Sequence, residues 1–272
     1  MKLNDKPIGV FDSGLGGLTC VKELLKILPG EDIIYFGDTG RVPYGNKSKD
    51  TIMKYAMQDT SFLLSKDVKM IIAACGTVSS IAWDIGNKIN VPFTGVVKPT
   101  ALSAVKASKN GRIGVIGTSA TIKSLSYRTE IHSICKDIMV FEQDCPLFVP
   151  LVENGYICPD DPILKLAIER HLNSLIDKNI DTLILGCTHY PIISDAIRNF
   201  IGDDVAIIDS GKQTALYAKS MLESQNLVTT NPKICDSSFY VSDNIDNFSK
   251  IAELFLGKHM GKQVQLINIE SF

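Results

Sequence analysis

Two cysteines, Cys75 and Cys187, stand at matching places in the sequence. Each ends an apolar run that predicts a β-strand, and hydroxyl residues follow before a predicted helix. The N-terminal end of a helix carries free N–H groups and a positive dipole end, which stabilise a thiolate and lower the pKa of a cysteine. A thiolate in this position can act as a nucleophile or as a base. The pair therefore predicts chemistry that depends on two thiols.

Two other residues could assist these thiols. His189 follows Cys187 by two positions and could orient or protonate a thiol, or donate a hydrogen bond to a substrate carboxylate. Asp12 begins the loop DSGLGG after the first predicted strand, where glycines let the backbone approach an anion. The loop lacks the Lys-Ser/Thr and glycine spacing of nucleotide-binding loops, so it predicts a carboxylate ligand. Asp12 either bonds a thiol or a substrate ammonium, or caps a tight turn.

The other cysteines lack this strand-end setting and are interpreted as structural: Cys20, Cys135, Cys145, Cys158 and Cys235. Seven cysteines are an odd number, and they show no regular spacing. A chain of 272 residues does not need disulfides to stabilise its fold. Cysteine usage therefore predicts a reduced, cytoplasmic protein.

Short apolar runs alternate with longer amphipathic stretches, which predicts strands connected by helices and thus mainly parallel sheets flanked by helices. Functional loops in such sheets lie beyond the carboxyl ends of the strands. The predicted strands are Ile8–Phe11, Asp32–Phe36, Lys69–Ala74, Phe93–Val97, Arg112–Ile116, Ile138–Phe141, Thr182–Leu185 and Val205–Ile208. The predicted helices are Thr19–Leu28, Asp50–Leu64, Val78–Lys88, Ser126–Cys135, Pro162–Lys178 and Ile192–Phe200.

The chain also contains a loose internal repeat. The segment that begins at Ile8 resembles the one that begins at Ile113, and the segment that ends in Cys75 resembles the one that ends in Cys187. Either any two strand–helix units look this similar, or the chain has two pseudo-symmetric α/β lobes. The second interpretation gives one cysteine site in each lobe.

Composition excludes several classes of protein. Hydrophobic residues make up 45% and charged residues 21%, which is typical of a folded globular protein. The net charge of −2 gives no electrostatic reason to expect a nucleic-acid or membrane partner. No apolar run approaches the roughly 20 residues that a membrane helix needs.

Six segments resemble the glutamate racemases of the aspartate/glutamate racemase superfamily. In chain order they are GVFDSGLGGLT, GDTGRVPYG, AACGTVSSIA, IGVIGTSATIKS, CPLFVPLVENG and LILGCTHYP. The resemblance covers the chain from Ile8 to Ser210. The resemblance implies two similar α/β lobes with the active site in the cleft between them. It divides the chain into a first lobe of residues 1–98 plus 208–272 and a second lobe of residues 99–207.

The resemblance also implies an activity. It predicts an isomerase that interconverts L- and D-glutamate without cofactor or metal, supplies D-glutamate for peptidoglycan synthesis and cell shape, and forms a homodimer. Cys75 would act on the α-proton of D-glutamate and Cys187 on that of L-glutamate, assisted by Asp12 and by His189 with Glu153. The residues expected to bind the substrate are Asp12, Ser13, Tyr44, Gly45, Gly76, Thr77, Thr118, Thr121, Thr188 and His189.

One position departs from the family pattern. Gly76 stands where the family usually has an asparagine, so a side-chain amide is missing beside Cys75. A hydrogen bond to a charged group contributes about 1.5–3 kcal/mol. We therefore expect Gly76→Asn to be tolerated and to lower the KM for glutamate.

Three alternatives stay open at this point. Cys75, Cys187, His189 and Asp12 are chemically acceptable zinc ligands, as in a hydrolase, although neither thiol begins a closely spaced ligand pair. A two-lobed binding protein would need no thiol in either lobe. An aspartate racemase of the same superfamily is the nearest alternative, and the VPYG and VENG segments favour glutamate.

Overall fold

The backbone forms two parallel β-sheets. A computed structural model describes residues 3–81, 83–230, 237–257 and 264–272. The strands within these ranges are β1 (Ile8–Asp12), β2 (Ile33–Gly37), β3 (Met70–Ala73), β4 (Phe93–Gly95), β5 (Arg112–Gly117), β6 (Met139–Asp144), β7 (Thr182–Leu185), β8 (Ala206–Asp209), β9 (Ser238–Val241) and β10 (Val264–Leu266). The first sheet has the order β10-β9-β2-β1-β3-β4 and the second has the order β6-β5-β7-β8. All of these strands pair in parallel.

Helices connect the strands. They are α1 (Leu18–Ile27), α2 (Lys49–Ser65), α3 (Gly76–Ile81), α4 (Val97–Ala107), α5 (Ser119–Lys123), α6 (Ser126–Ile134), α7 (Phe148–Glu153), α8 (Pro162–Ile176), α9 (Ser194–Ile201), α10 (Ser210–Ser224) and α11 (Ile245–Leu256). Side-chain caps start several of them. Asp161 accepts from the N–H groups of Ile163 and Leu164 at the start of α8, and Asp209 accepts from the N–H of Lys212 at the start of α10.

Each sheet buries both of its faces, as parallel sheets do. In β1, Ile8 and Val10 pack into a core with α1, α10 and α11, whereas Phe11 points to the opposite core under α2. In β7, Leu183 packs into the same core as Ile8 and Val10, and Ile184 packs into a separate core under α4 and α6. The first of these cores therefore continues from one lobe into the other.

The fold class predicted from the sequence is confirmed, and the eight predicted strands all form. Some boundaries are wrong. The predicted helix Val78–Lys88 is instead α3 followed by a 3₁₀ turn from Trp83 to Lys88, in which Gly86 packs closely against Phe93. The predicted strand Phe93–Val97 ends at Gly95, and α4 begins at Val97. The residue numbers at which we divide the lobes stay a prediction.

The sequence prediction missed α4, α5, α7, α10 and α11 and the strands β9 and β10. Strand β9 pairs with β2 and adds the C-terminal part of the chain to the first sheet. Helix α10 packs against both α1 and α4, so the returning chain lies against both lobes. Among the described helices, none has the length and apolar character needed to cross a membrane.

Candidate active site

A cavity of about 430 Å³ lies between the two lobes, where strands of both sheets end. The loops after β1, β2 and β3 line it from the first lobe, and the loops after β5, β6 and β7 line it from the second. All of the sequence-predicted site residues border this one cavity: Asp12, Ser13, Tyr44, Gly45, Cys75, Gly76, Thr77, Thr118, Thr121, Glu153, Cys187, Thr188 and His189.

The thiol of the first lobe is buried. Cys75 follows β3 and is only 5% exposed, and its Sγ lies 3.3 Å from Oγ of Ser13. Burial raises the pKa of Cys75 to about 12, and the negative charge of Asp12 adds to this increase. The backbone N–H groups of Val78 and Ser13 act in the opposite direction but are outweighed. The sequence expectation of a lowered pKa is therefore wrong for Cys75, which is a neutral thiol at pH 7.

Asp12 ends β1 and lies beside this thiol. It is buried, and its Oδ2 accepts a hydrogen bond from the N–H of Gly14 at 2.9 Å. Burial raises the pKa of Asp12, while the charge of His189 and the N–H groups of Gly14 and Gly17 counteract the increase. Asp12 therefore caps the glycine loop and also borders the cavity, and its bond to a thiol or a substrate ammonium stays a prediction.

The thiol of the second lobe belongs to a chain of three groups. Sγ of Cys187 lies 3.8 Å from Nδ1 of His189, and Nε2 of the same imidazole lies 2.9 Å from Oε1 of Glu153. Burial disfavours the imidazolium, but the hydrogen bonds to Cys187 and Glu153 outweigh it and raise the pKa of His189 to about 10. At neutral pH a cation therefore stands beside Cys187, where it stabilises negative charge on the sulfur.

The two lobes touch through glycines next to these thiols. A Cβ atom added to Gly76 would lie 2.7 Å from the carbonyl oxygen of Gly186, the residue before Cys187. A Cβ atom at Gly16 would lie 2.1 Å from Oγ1 of Thr188 and 2.6 Å from Nδ1 of His189. Such distances leave no room for a side chain: the backbone at Gly76 meets the backbone of Gly186, and the backbone at Gly16 meets the side chains of Thr188 and His189.

This contact bears on one sequence expectation. An asparagine at position 76 would place its Cβ against the backbone oxygen of Gly186, which cannot move as the end of a flexible side chain could. The expectation that Gly76→Asn is tolerated therefore conflicts with this closed arrangement, and its effect on the KM stays a prediction.

The cavity offers neutral donors for an anion. Hydroxyls reach it from both lobes, among them Ser13, Thr77, Thr118, Thr121 and Thr188. Oγ1 of Thr118 and Oγ1 of Thr121 lie 3.0 Å apart. No lysine or arginine from the described ranges borders the cavity. A bound carboxylate would therefore be held by hydroxyl and backbone N–H groups and by the charge of His189.

The sequence analysis missed part of the wall. Cys145, Pro146, Val149 and Pro150 form a largely apolar side of the cavity in the second lobe. Cys145 was interpreted as structural because the predicted strand ended at Phe141, but β6 continues to Asp144 and leaves Cys145 at a strand end. The polar run from Glu142 to Asp144 concealed this extension. Cys235, also interpreted as structural, lies outside the described residues.

The hydroxyl group of Tyr44 does not face the cavity. It borders the cavity, but its hydroxyl points away, toward Asp38 and Asp59.

The four suggested zinc ligands do not come together at one point. Among the described residues, no three His, Cys, Asp or Glu side chains are close enough together to hold a metal ion.

Comparison with known proteins gives the family. A family model described as Asp/Glu/Hydantoin racemase matches residues 28–218. The chain belongs to this family. A glutamate racemase of Chlorobaculum tepidum is 45% identical over 268 residues, covering 98% of this chain and 97% of that protein. One of Persephonella marina is 47% identical over 251 residues, covering 92% and 93%.

A solved structure of glutamate racemase from Francisella tularensis, in complex with D-glutamate, is also similar. It has a TM-score of 0.91 and 41% identity, and the match covers 99% of this chain and 100% of that one. The racemase family, the two-lobed fold and the class of enzyme, an isomerase, are therefore as predicted from the sequence.

The electrostatics of the racemase cleft predict an order of cysteine reactivity. Iodoacetamide attacks thiolates, so among Cys158, Cys187 and Cys75 the exposed Cys158 should react first and Cys187, beside the imidazolium of His189, second. Cys75 should be the slowest of the three because burial raises its pKa. Mass spectrometry of peptides after timed labelling at pH 7.5 would follow each site. Labelling of Cys75 as fast as that of Cys187 would contradict this account.

The close contact at Gly76 predicts that a larger residue at this position lowers the activity. Gly76→Ala and Gly76→Asn should each lower kcat/KM by about 100-fold, because a displacement of about 1 Å between reacting groups has an effect of that order. Gly45→Ala, whose Cβ would lie 3.8 Å from Ala120, should have a clearly smaller effect. Equal effects of the two alanine substitutions would show that the contact between the lobes does not limit catalysis.

Proposed function

We propose that this protein interconverts L-glutamate and D-glutamate by acid–base catalysis with two cysteines, and that it needs no cofactor. The observation that carries the proposal is that Cys75 and Cys187 border the same cavity from different lobes. Racemisation requires a base on one face of the α-carbon and an acid on the other. Two thiols from opposite lobes meet this requirement, whereas a single site on one lobe does not.

The surroundings of the thiols suggest the role of each. For L-glutamate, Cys187 would remove the α-proton while the imidazolium of His189 stabilises the thiolate, and neutral Cys75 would donate a proton to the opposite face. For D-glutamate the two roles exchange. Glu153 holds His189 in place, and buried Asp12 would assist Cys75.

The α-proton of an amino acid is weakly acidic, so the pocket must stabilise a carbanion-like transition state. Hydroxyls and strand-end N–H groups around the substrate carboxylates would do this, because donors that are already oriented in a site without water stabilise developing charge strongly. The residues proposed for substrate binding are Asp12, Ser13, Tyr44, Gly45, Gly76, Thr77, Thr118, Thr121, Thr188 and His189, and all of them border the cavity. Tyr44 would contact the substrate through its ring or backbone, and the glycines would contact it through their backbone.

Glutamate is favoured over aspartate by the relatives. The similar proteins of Chlorobaculum and Persephonella are named glutamate racemases, and the Francisella structure holds D-glutamate. The product D-glutamate would supply peptidoglycan synthesis in the cytoplasm. Assembly as a homodimer, and the division into lobes at residues 98 and 208, stay predictions.

The substrate is tested by loss of circular dichroism with L-Glu, D-Glu, L-Asp and D-Asp in separate reactions, without added pyridoxal phosphate, nicotinamide or metal. We expect both glutamate enantiomers to lose their signal and both aspartate enantiomers to keep it. Loss of signal with aspartate alone would instead support the aspartate racemase alternative.

The two thiols are tested by substitution. Cys75→Ser and Cys187→Ser should each lower kcat by at least about 100-fold in both directions, since either direction needs an acid and a base. Cys158→Ser, at an exposed cysteine remote from the cavity, is the matched control and should keep wild-type kcat. Normal turnover by either active-site variant would remove that cysteine from the mechanism.

A further inference from the structure

A buried polar network lies behind the first-lobe wall of the cavity. We name Asp38, Arg41, Tyr44 and Asp59 the Arg41 cluster. Asp38 follows β2, Asp59 lies in α2, and Arg41 directly precedes the loop Val42–Gly45 that borders the cavity. The side chains of both aspartates are fully buried, and that of Arg41 is 11% exposed. Neither aspartate nor Arg41 borders the cavity itself.

Arg41 is held from several directions. Its Nε donates to Oδ2 of Asp38 at 2.6 Å, its Nη2 to Oδ1 of Asp59 at 3.0 Å, and its Nη1 to Oε1 of Gln58 at 2.6 Å. The guanidinium also lies 4.0 Å from the ring centroid of Tyr55. A planar guanidinium with this many partners has one orientation, and this fixes the backbone from which the loop begins.

Tyr44 connects the two carboxylates. Its hydroxyl donates to Oδ2 of Asp38 and lies 3.1 Å from Oδ2 of Asp59. A phenol has one proton, so if Asp38 receives it, the oxygen of Tyr44 needs a donor from Asp59. A protonated Asp59 supplies that donor and completes the network.

The remaining contacts agree with this distribution of protons. Oδ1 of Asp38 accepts from Oγ of Ser242 at 2.7 Å, so both oxygens of this carboxylate accept hydrogen bonds. Burial raises the pKa of Asp59 well above its usual value, and the charge of Asp38 raises it further. Arg41 then faces one buried anion, Asp38, and its Nη1 also lies 3.2 Å from Oε1 of the largely exposed Glu270. No unpaired charge is buried in the cluster.

The Arg41 cluster supports the loop Val42–Gly45, which forms part of the cavity wall. A Cβ atom on Gly14 would lie 2.9 Å from Cγ1 of Val42, so the loop packs directly on the glycine loop after β1. At its other end, a Cβ atom on Gly45 would lie 3.8 Å from Ala120 of the second lobe. The loop therefore spans from Gly14 to the facing lobe, and a small tilt would change the cavity.

We propose that Asp38, Arg41 and Asp59 are positioning residues for substrate binding, with Asp38 as the ionised partner of Arg41 and Asp59 as a neutral acid. They act through Tyr44 and Gly45 and so control the affinity for substrate rather than proton transfer at the thiols. The kinetic part of this inference rests on the proposed racemisation of glutamate. The distribution of protons within the cluster does not.

Two isosteric substitutions test the distribution of protons. In Asp59→Asn the amide can donate to Tyr44 and accept from Arg41, so KM should stay within about two-fold of wild type in both directions. In Asp38→Asn the anion that pairs with Arg41 is lost, so KM should rise by at least about ten-fold while kcat changes by less than about three-fold. The unfolding temperature of Asp38→Asn should be lower than that of Asp59→Asn.

Arg41→Lys tests positioning separately. A lysine keeps the charge but cannot bond both aspartates and Gln58 in one plane, so KM should rise by about ten-fold with little change in kcat. Arg128→Lys is the matched control. Arg128 pairs with Glu142 at 2.7 Å away from the cavity, so its substitution should leave both constants unchanged.

Several results would overturn the inference. If Asp59→Asn is as damaging as Asp38→Asn in KM and in unfolding temperature, then Asp59 is not the neutral acid. If Arg41→Lys lowers kcat at unchanged KM, the cluster does not act through binding. If Asp38→Asn fails to fold while Asp59→Asn folds normally, the proton assignment is supported and Arg41→Lys decides positioning. A wild-type protein that leaves both glutamate enantiomers unchanged refutes the proposed function, and the unfolding comparison then still tests the cluster.

Discussion

Burial of ionisable groups between the two lobes is the constraint on which the site depends. Cys75, Asp12 and His189 are all less than a tenth exposed, and burial disfavours the charged form of each. In the second lobe, hydrogen bonds to Cys187 and Glu153 overcome this effect and keep His189 charged. In the part of the first lobe that the structure describes, no cation is found to lower the pKa of Cys75, and its thiol stays protonated. One cleft therefore holds a neutral thiol on one side and an imidazolium beside the second thiol on the other.

The close approach of the lobes follows from the same constraint. A cleft that excludes water must bring its loops together, and the residues at the contacts are Gly16, Gly76 and Gly186. Thr19 adds a hydrogen bond of 2.9 Å from its hydroxyl to the carbonyl oxygen of Thr188 in the other lobe. Small residues beside the catalytic candidates thus let the lobes approach closely, and the donors proposed to hold the substrate are backbone and hydroxyl groups.

Much of this architecture could be predicted from the sequence. The spacing of apolar residues predicts the central strands. Cys75, Cys187 and Asp12 follow the ends of such strands, and the carboxyl ends of parallel strands meet at one edge of a sheet. Their place at the cavity could therefore be predicted. Patterns of this kind do not show contacts between distant segments. The closeness of Gly76 to Gly186 depends on how the two lobes pack, so the sequence did not show that an asparagine at position 76 would meet this backbone.

The Arg41 cluster escaped prediction for a related reason, although one signal was present. Asp59 lies on the buried side of α2 with Ile52, Ala56 and Leu63, and a carboxylate among apolar positions indicates a buried partner. The sequence does not show that this partner is Arg41. The position of Cys145 was missed because β6 ends in polar residues, which a search for apolar runs does not count.

The central claim, that two different thiols remove and deliver the α-proton, is tested most directly by racemisation in heavy water. The thiol that delivers the proton exchanges with solvent before the substrate binds. We therefore predict that early product carries solvent deuterium at Cα in nearly every molecule, while the unreacted enantiomer stays protiated, as read by mass spectrometry after chiral separation. Early product that keeps most of its original hydrogen would indicate a single shuttling base and would contradict the two-cysteine account.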